Sequence, residues 1–350
     1  MKINTKLRFS PFVHISPALP NTIVIMIAAI LPQLVFLGIY KDFKALLVIA
    51  MSVLASVAAE VVDNFIQKKM TVGSLVSILE GLIIGMFLPE VYPPVLAFFV
   101  VMCSLFVVKY CFGGLASNWA NPTACTIIIA WFTGSLFFPD FQLSAEMLES
   151  ANPASMLFSM DIIPLNEKAG IVSNFLNSHI LNHFGFVLPD GYTSLFWDTH
   201  ALIPAFRFNL LTLGASLILA SLSMIDLMIP VCYFTVYAVL VRLFSLEPFT
   251  GITGQGDILL ALLTSGTLFC GFFMLAWYGT TPMSVPGKIV YGVLAGIAAF
   301  VMSGAGTSPT GAVFTVILVN TVSPIIQLFE DKCYNIYKSL TLKSRLEHER

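Results

Sequence analysis

The chain has 350 residues, of which 57% are apolar and only 10% are charged, and its formal net charge is −2. A soluble domain carries roughly 25% charged residues, so this composition excludes an ordinary soluble protein and predicts an all-α polytopic membrane protein. The composition gives no sign of the basic surface that nucleic-acid binding requires, and we expect no nucleic-acid partner.

Three basic residues, Lys2, Lys6 and Arg8, precede the first apolar run, which begins near Asn21. This run is too long for the apolar core of a signal peptide, and it lacks a small-residue cleavage site. We therefore interpret it as the first membrane helix.

Ten apolar runs are long enough to cross a bilayer, which takes about 17–25 residues in each case. The third run is short because it lies between Gly73 and Pro89, and the fifth is bounded by Pro122 and Pro139. The predicted membrane helices are residues 21–40, 43–62, 74–90, 93–111, 123–139, 207–225, 228–246, 257–279, 287–305 and 311–329.

Glu80 is the one acidic residue well inside an apolar run. An ionisable group at this depth is energetically expensive and usually functional. Two interpretations stay open: Glu80 is a ligand or proton carrier on an ion pathway, or it is a protonated carboxyl that hydrogen-bonds to a neighbouring helix. Glu60 and Asp63, at the end of the second run, are interpreted as simple interface charges.

The connection between the fourth and fifth runs reads YCFGGLASNWANPTA. A broken backbone at the edge of the membrane is tolerated only where it is buried in protein or lines a cavity, so this connection predicts a site built from backbone and amide groups. The candidate cofactor-binding residues are Gly113, Gly114, Asn118 and Asn121. Asn118 is suited to contact a flavin or to coordinate an ion. For Asn121 we favour a cap on the fifth helix, because a proline follows it.

The connection at residues 140–206 is long and acidic, with Lys168 as its one lysine or arginine. Loops of this length are usually functional or disordered, and the apolar residues Phe175 and Leu176 predict a packed extramembrane subdomain or an interfacial helix. The predicted organisation is a first membrane half at 1–139, an external subdomain at 140–206, a second membrane half at 207–331 and a cytoplasmic tail at 332–350.

The two halves of five runs resemble each other. In the first half GLIIGMFLPE leads to FGGLASNWANPTACTII, and in the second SGTLFCGFFML leads to SGAGTSPTGAVFTVI. Because each half has an odd number of spans, the copies must be inverted in the membrane, and broken segments at matching places point to a site near the repeat interface. We predict two inverted five-helix repeats, with a pocket where Gly113–Pro122 meets Gly304–Gly311.

Lysine and arginine are distributed unevenly between the two sides of the predicted bundle. An even number of spans places both termini on one side, and cytoplasmic loops carry an excess of these residues. With the termini inside, five of the 17 basic residues lie outside and the other twelve inside; the five are Lys41, Lys44, Lys168, Arg207 and Arg242. The asymmetry predicts cytoplasmic termini and an external connection at 140–206.

Short patterns along nearly the whole chain match those of a known family of membrane subunits. They are SPxxH at 10–14, Gly plus LLLALxLPP at 81–89 with prolines at 93 and 94, FGGxxxNxxNPA at 112–124 with Thr123 inserted, LLSGxxxFxxFFM at 263–274, GxxxYGxxxG at 287–296 and PxGxxFxxxxxN at 309–320. On these residues the chain resembles the D subunit of the Rnf complex and the B subunit (NqrB) of the sodium-pumping NADH:quinone reductase.

The resemblance implies a membrane subunit, not catalytic alone, of a complex that couples electron transfer to Na⁺ or H⁺ movement. It implies other membrane and peripheral subunits as partners, surrounding lipid, and a location in the bacterial plasma membrane. The family's fold looks similar to that of urea and ammonium channels. Its members carry FMN on a threonine of an SGAT sequence in the external loop, and some hold a second flavin within the membrane.

The chain departs from the family at three functional-looking positions. Where the family reads DGxSGAT this sequence reads DGYTSLF, so Phe196 replaces the threonine that carries FMN. Either a neighbour such as Thr193 accepts the flavin or the chain has no covalent FMN. Trp277 stands at the place of a family acid, and Thr310 replaces the glutamate of a PEG sequence.

Two other functions stay open on the residues alone. Ten spans in inverted halves also suit a small-solute channel or transporter, and a subunit that has lost its flavin could act as a scaffold for its partners. The six cysteines are scattered singly, without a CxxC or a Cys/His cluster, so we expect no metal site made by this chain alone.

Overall fold

The computed structural model describes residues 18–68, 75–114, 118–139, 167–185, 187–188, 191–244, 256–277, 279–304 and 308–348. All regular elements in these ranges are helical, as the composition predicts. The first half contains α1 (Leu19–Ile39), α2 (Phe43–Ile66), α3 (Leu75–Phe87), α4 (Pro94–Leu105), a π-helical turn (Phe106–Tyr110) and α5 (Pro122–Thr133). The connection contains α6 (Glu167–His179) and α7 (Tyr192–Trp197). The second half contains α8 (Asn209–Ser221), α9 (Met228–Phe244), α10 (Ile258–Thr264), α11 (Thr267–Phe269), a second π-helical turn (Cys270–Met274), α12 (Val285–Ser303) and α13 (Gly311–His348).

Four of the described helices are long and apolar enough to cross a membrane, judged by length and composition. They are α1, α2, α12 and the segment Gly311–Ile336 of α13. Five shorter apolar helices accompany them: α3, α4 with its π-helical turn, α5, α8 and α9. Each of these nine helices lies within or close to one of the ten predicted runs.

The predicted eighth span, residues 257–279, is not one continuous helix. It breaks at Ser265 and Gly266, and Gly266 has a φ of 68°. A β-carbon at Gly266 would lie 2.0 Å from a ring carbon of Phe206, so close packing as well as the backbone angle requires glycine. A hydroxyl group supplies a hydrogen bond at the break, because Ser265 Oγ donates to the Ala261 carbonyl at 2.6 Å.

Corresponding helices of the two halves have corresponding neighbours. The second helix of each half packs against the fourth, as α2 against α4 and α9 against α12. The fourth packs against the fifth in both halves, and α1 contacts α8 across the molecule. This shared packing is what a structural repeat would produce.

Glycines allow two helix pairs, α2 with α3 and α9 with α12, to approach closely. A β-carbon at Gly81 of α3 would lie 2.6 Å from the Val53 Cα of α2, and one at Gly85 would lie 2.7 Å from the Ile49 Cα. On α12, Gly296 faces α9 in the same way, with the Tyr233 carbonyl oxygen 2.9 Å from the added atom. Small residues at such contacts are the usual means of packing helices in a membrane.

Helix α3 lies at the centre of the first half. Eleven of its residues are buried: Val76, Ser77, Leu79, Glu80, Gly81, Leu82, Ile83, Ile84, Gly85, Met86 and Phe87. A helix buried on all faces contacts protein all round. Any polar group on α3 is therefore presented to neighbouring helices and not to lipid.

The last helix is longer than the tenth predicted run. It continues from Gly311 to His348 without interruption, although Pro324 lies inside it. The proline lacks the amide that would bond to the Asn320 carbonyl. The predicted tail after residue 331 thus continues the helix of the last span, at least to residue 348.

Candidate functional site

The connection after α4 begins with a π-helical turn. The Cys111 amide donates to the Phe106 carbonyl, five residues back, at 3.0 Å. A π turn inserts an extra residue and rotates the side chains that come after it, and such turns are frequent at functional sites. As a result three consecutive side chains, Val108, Lys109 and Tyr110, are all buried.

Glu80 pairs with Lys109 inside the first half. The Lys109 ammonium lies 2.7 Å from Glu80 Oε2, and the two side chains are 0% exposed for Glu80 and 3% exposed for Lys109. A lysine partner for Glu80 was not among the expectations, and a role of Glu80 on an ion pathway stays a prediction. Lys109 was predicted to be a charge on the cytoplasmic side, whereas the structure buries it. The missed signal was a lysine within the predicted fourth run, opposite an acid in the third.

Hydroxyl groups lie on the segments that carry and neighbour this ion pair. Ser77, one turn before Glu80 on α3, lies 3.0 Å from the hydroxyl of Tyr110. Ser56 of α2 donates to the Ser77 carbonyl at 2.7 Å. Among the described residues, the second carboxylate oxygen of Glu80 has no hydrogen-bond partner although it is buried.

Glycine conformation shapes the rest of the connection. Gly113 and Gly114 have φ values of 102° and 85°, which strongly favour glycine. Nothing lies within 4 Å of a β-carbon added at Gly114, so conformation alone requires that glycine. The two amides return to the π turn: Gly113 donates to the Tyr110 carbonyl at 3.1 Å and Gly114 to the Lys109 carbonyl at 3.0 Å.

Asn121 caps α5, as predicted. Its side-chain oxygen accepts from the Thr123 amide at 2.9 Å and from the Ala124 amide at 3.4 Å. Its side-chain nitrogen donates to the Met274 carbonyl at 2.8 Å. Because Met274 ends the second π turn, this single amide joins the two membrane halves. Both of its polar atoms are used by the protein.

Asn118 is the candidate whose amide is free to meet a ligand. Neither its oxygen nor its nitrogen has a partner among the described residues, and both atoms are buried. A buried amide without hydrogen bonds is destabilising by about 1–3 kcal/mol per unpaired group. A ligand contact at Asn118 stays a prediction.

The second predicted broken element, Gly304–Gly311, is described only at its ends. Tyr237 donates to the Gly304 carbonyl at 3.0 Å, and residues 305–307 lie outside the described ranges. Among the described residues, a hydrogen bond from Asn121 to the Met274 carbonyl joins the first connection to the second half. The meeting of the two broken elements therefore stays a prediction.

A cluster of buried aromatic and amide groups follows the second π turn. Tyr291 of α12 donates to the side-chain oxygen of Asn320 at 2.7 Å and approaches the Leu275 carbonyl at 3.2 Å. Trp277, which stands where the resemblance expects an acid, is 2% exposed. Trp277 is therefore part of the packed interior of the protein.

Thr193 lies on α7, and its hydroxyl is 2.6 Å from the Ser173 hydroxyl of α6. Phe196 packs against the hydrophobic core. Tyr192 on the same helix donates to Asp257 at the start of α10. Burial, and then the Asp257 carboxylate, raises the pKa of Tyr192 above its ordinary value, so the phenol stays protonated. The segment that replaces SGAT is therefore firmly attached to the bundle.

Arg207 ties the same region to the first half. Its guanidinium lies 2.8 Å from Asp198 and also contacts Asp42, in the turn between α1 and α2. The guanidinium carbon lies 5.4 Å from the centre of the Tyr40 ring. Trp197 at the end of α7 donates to the Tyr40 hydroxyl at 3.1 Å. These contacts make one polar cluster where the connection meets the membrane half.

Comparison with known proteins extends over nearly the whole chain. The profile of the NQR2, RnfD, RnfE family matches residues 6–334. The chain belongs to the NQR2, RnfD, RnfE family. Together with its apolar helices, this membership makes it a multi-pass membrane protein.

Several relatives match most of the chain. One is the D subunit of the Na⁺-translocating ferredoxin:NAD⁺ oxidoreductase complex of Acetobacterium woodii, 25% identical over 341 residues that cover 96% of this chain and 97% of the relative. Another is the D subunit of the proton-translocating ferredoxin:NAD⁺ oxidoreductase complex of Clostridium ljungdahlii, which is 26% identical with coverage of 91% and 92%. The D subunit of the ion-translocating oxidoreductase complex of Buchnera aphidicola is 27% identical, with coverage of 82% and 86%.

Proposed function

We propose that this chain is the D-type membrane subunit of a complex that couples electron transfer to Na⁺ or H⁺ translocation. The observation that carries the proposal is the full-length match to relatives of that name. Its partners are then other membrane and peripheral subunits of the complex, within the bacterial plasma membrane.

The test is to delete the gene and restore it with an affinity-tagged copy. The tagged chain should co-purify the other subunits, and electron transfer in inside-out membrane vesicles should drive ion uptake only in the restored strain. Vesicles that pump equally well without the chain would rule the proposal out.

We further propose ten spans in two inverted five-helix repeats, with cytoplasmic termini and residues 140–206 outside. The matching neighbours of α2 with α4 and of α9 with α12 support the repeat. The charge asymmetry supports the orientation, although Lys109 carries no weight in it because that lysine is buried in an ion pair. Exposed Ser178 on α6 is a suitable place for a cysteine, and labelling it only from the cytoplasmic side would overturn the orientation.

We propose that a non-covalent flavin is held near Gly113, Gly114 and Asn118. The unpartnered amide of Asn118 supports this placement. A covalent FMN would need another hydroxyl near that position, with Thr193 as the favoured acceptor, because Phe196 has no hydroxyl. Thr193 already shares a short hydrogen bond with Ser173, and forming a phosphoester there would remove the hydroxyl proton that Thr193 can donate.

The flavin prediction is that the peptide from Asp190 to Arg207 has its unmodified mass when the chain is produced together with a flavin transferase. The reason is that Phe196 occupies the acceptor position and that the hydroxyl of Thr193, the favoured alternative, is hydrogen-bonded to Ser173. Mass spectrometry of that peptide decides the matter, with a relative that keeps SGAT as the positive control. An FMN adduct that disappears in Thr193→Val would contradict the prediction and assign the covalent flavin to this threonine.

A further inference from the structure

The buried Glu80–Lys109 pair calls for an explanation beyond packing. Replacing a buried ion pair by well-packed apolar residues is often neutral or stabilising, so a pair of this kind is weak evidence for a stabilising role. Ionisable groups within membrane spans generally mark ion pathways. The pair is also built by a π-helical turn, which turns Lys109 into the protein interior.

We propose that the Glu80 carboxylate is a binding site for Na⁺ and that the Lys109 ammonium is its built-in competitor. In the structure the ammonium occupies the carboxylate, 2.7 Å from Oε2. In the alternative state Na⁺ takes that place and Lys109 moves aside. The inference deepens the proposed function, on which it rests, by assigning the ion to named residues.

Oxygen atoms of the kinds that bind this cation lie on the segments that carry and neighbour Glu80. Hard cations bind carboxylate, carbonyl and hydroxyl oxygens. Glu80 offers a buried oxygen that has no partner among the described residues. Ser77 and Tyr110 add hydroxyl oxygens that contact each other, and Ser56 adds a third hydroxyl on α2. A proton would bind to one oxygen atom, whereas Na⁺ is coordinated by several. The presence of several oxygen atoms therefore favours Na⁺.

Lys109 is suited to move away from the carboxylate. A lysine ammonium is a compact charge on a flexible four-carbon stem, and here it starts from a π turn that an ordinary helical turn could replace. Its Nζ lies 5.0 Å from the centre of the Tyr110 ring, a distance at which the ring face attracts a cation.

The experiment is equilibrium binding of radioactive sodium to the purified complex at fixed pH, with choline as the balancing cation. An adjacent positive charge favours an ionised carboxylate by roughly one to three pKa units. In Lys109→Gln the ammonium no longer supplies that charge, so Na⁺ can supply it without competition. Lys109→Gln should therefore bind Na⁺ about tenfold more tightly or better. Glu80→Gln and the double variant Glu80→Gln/Lys109→Gln should lack this site. Unchanged affinity in Lys109→Gln, or a tight site that persists in the double variant, would overturn the proposal.

Two further variants keep the test decisive. Lys109→Arg serves as the test if Lys109→Gln does not assemble. It keeps the positive charge, and the bidentate hydrogen bonds of arginine to the carboxylate should weaken Na⁺ binding. Lys288→Gln removes a lysine that pairs with Asp226 at a partly exposed position, and it should leave binding unchanged. Weakening by Lys288→Gln equal to that by Lys109→Arg would show a general charge effect and reject the site.

Parallel measurements separate this inference from the proposed function. If the wild-type complex couples electron transfer to ion uptake but Na⁺ binding ignores Glu80, the site is wrong and the function stands. If binding follows the variants as expected but no electron transfer occurs, the function is wrong and the site stands. An infrared band of a protonated carboxyl in Lys109→Gln, absent from the double variant and insensitive to Na⁺, would mean that Glu80 takes a proton and would overturn the assignment of Na⁺.

Discussion

Glu80→Gln should lower the stability of the protein far more than the double variant Glu80→Gln/Lys109→Gln. The single change leaves the Lys109 ammonium buried without its counter-charge, and breaking a buried ion pair from one side costs about 3–5 kcal/mol. The double change removes both charges and leaves two amides that can hydrogen-bond to each other. In detergent, we expect the apparent melting temperature to fall by roughly 5–10 °C in the single variant and to recover for the most part in the double variant.

The matched control is the Asp226–Lys288 pair, whose side chains are 36% and 24% exposed. Asp226→Asn should shift the melting temperature very little, because exposed ion pairs contribute about 0–1 kcal/mol. Size-exclusion chromatography with fluorescence detection, after heating samples to a series of temperatures, gives the required curves. Equal losses in Glu80→Gln and Asp226→Asn would show that the buried pair is not formed in the protein.

Gly81→Leu should prevent the stable association of α2 with α3. A β-carbon at this position would already lie 2.6 Å from the Val53 Cα and 2.9 Å from the Ser52 carbonyl oxygen. These are backbone atoms, so the helices must separate, and overpacking of this kind costs about 1–3 kcal/mol or more. Separation would also carry Glu80, the preceding residue, away from its place. We expect a large loss of folded protein in membranes and of assembled complex.

Gly214→Leu on α8 is the corresponding control, since nothing lies within 4 Å of a β-carbon added there. Both variants insert the same side chain into an apolar helix, and only one of them meets backbone. The yield of monodisperse protein after mild solubilisation compares them directly. Similar yields from Gly81→Leu and Gly214→Leu would mean that α2 and α3 are not in close contact.

The sequence predicted the features that depend on local chemistry. Apolar runs of sufficient length predicted the helices, because burial in lipid or protein is what such runs require. The cap at Asn121 was also predictable, because an asparagine before a proline can accept hydrogen bonds from the free amides at the start of a helix. The structure confirms the cap and shows apolar helices at nine of the ten predicted runs, and it adds the bond from Asn121 to Met274, which no local pattern contains.

Features that depend on distant contacts were not predictable. The break at Gly266 depends on the ring of Phe206, which lies far along the chain. The position of Lys109 depends on a π turn, for which the sequence gives no clear signal. A lysine near the end of an apolar run is equally compatible with a surface position. Only the packing of α3 against its neighbours decides that Lys109 meets Glu80.

The unbroken course of α13 has a mechanical consequence. At 1.5 Å per residue, its 38 residues make a rod about 57 Å long, and the part beyond Ile336, where the apolar segment ends, adds roughly 18 Å. A partner that binds this outer part could move the final span, because both belong to one continuous helix. Pro324 is the place at which that helix bends most easily, because the Asn320 carbonyl has lost its helical hydrogen bond. A force applied to the part of α13 beyond Ile336 would therefore act on the Tyr291–Asn320 contact, which lies one helical turn before Pro324.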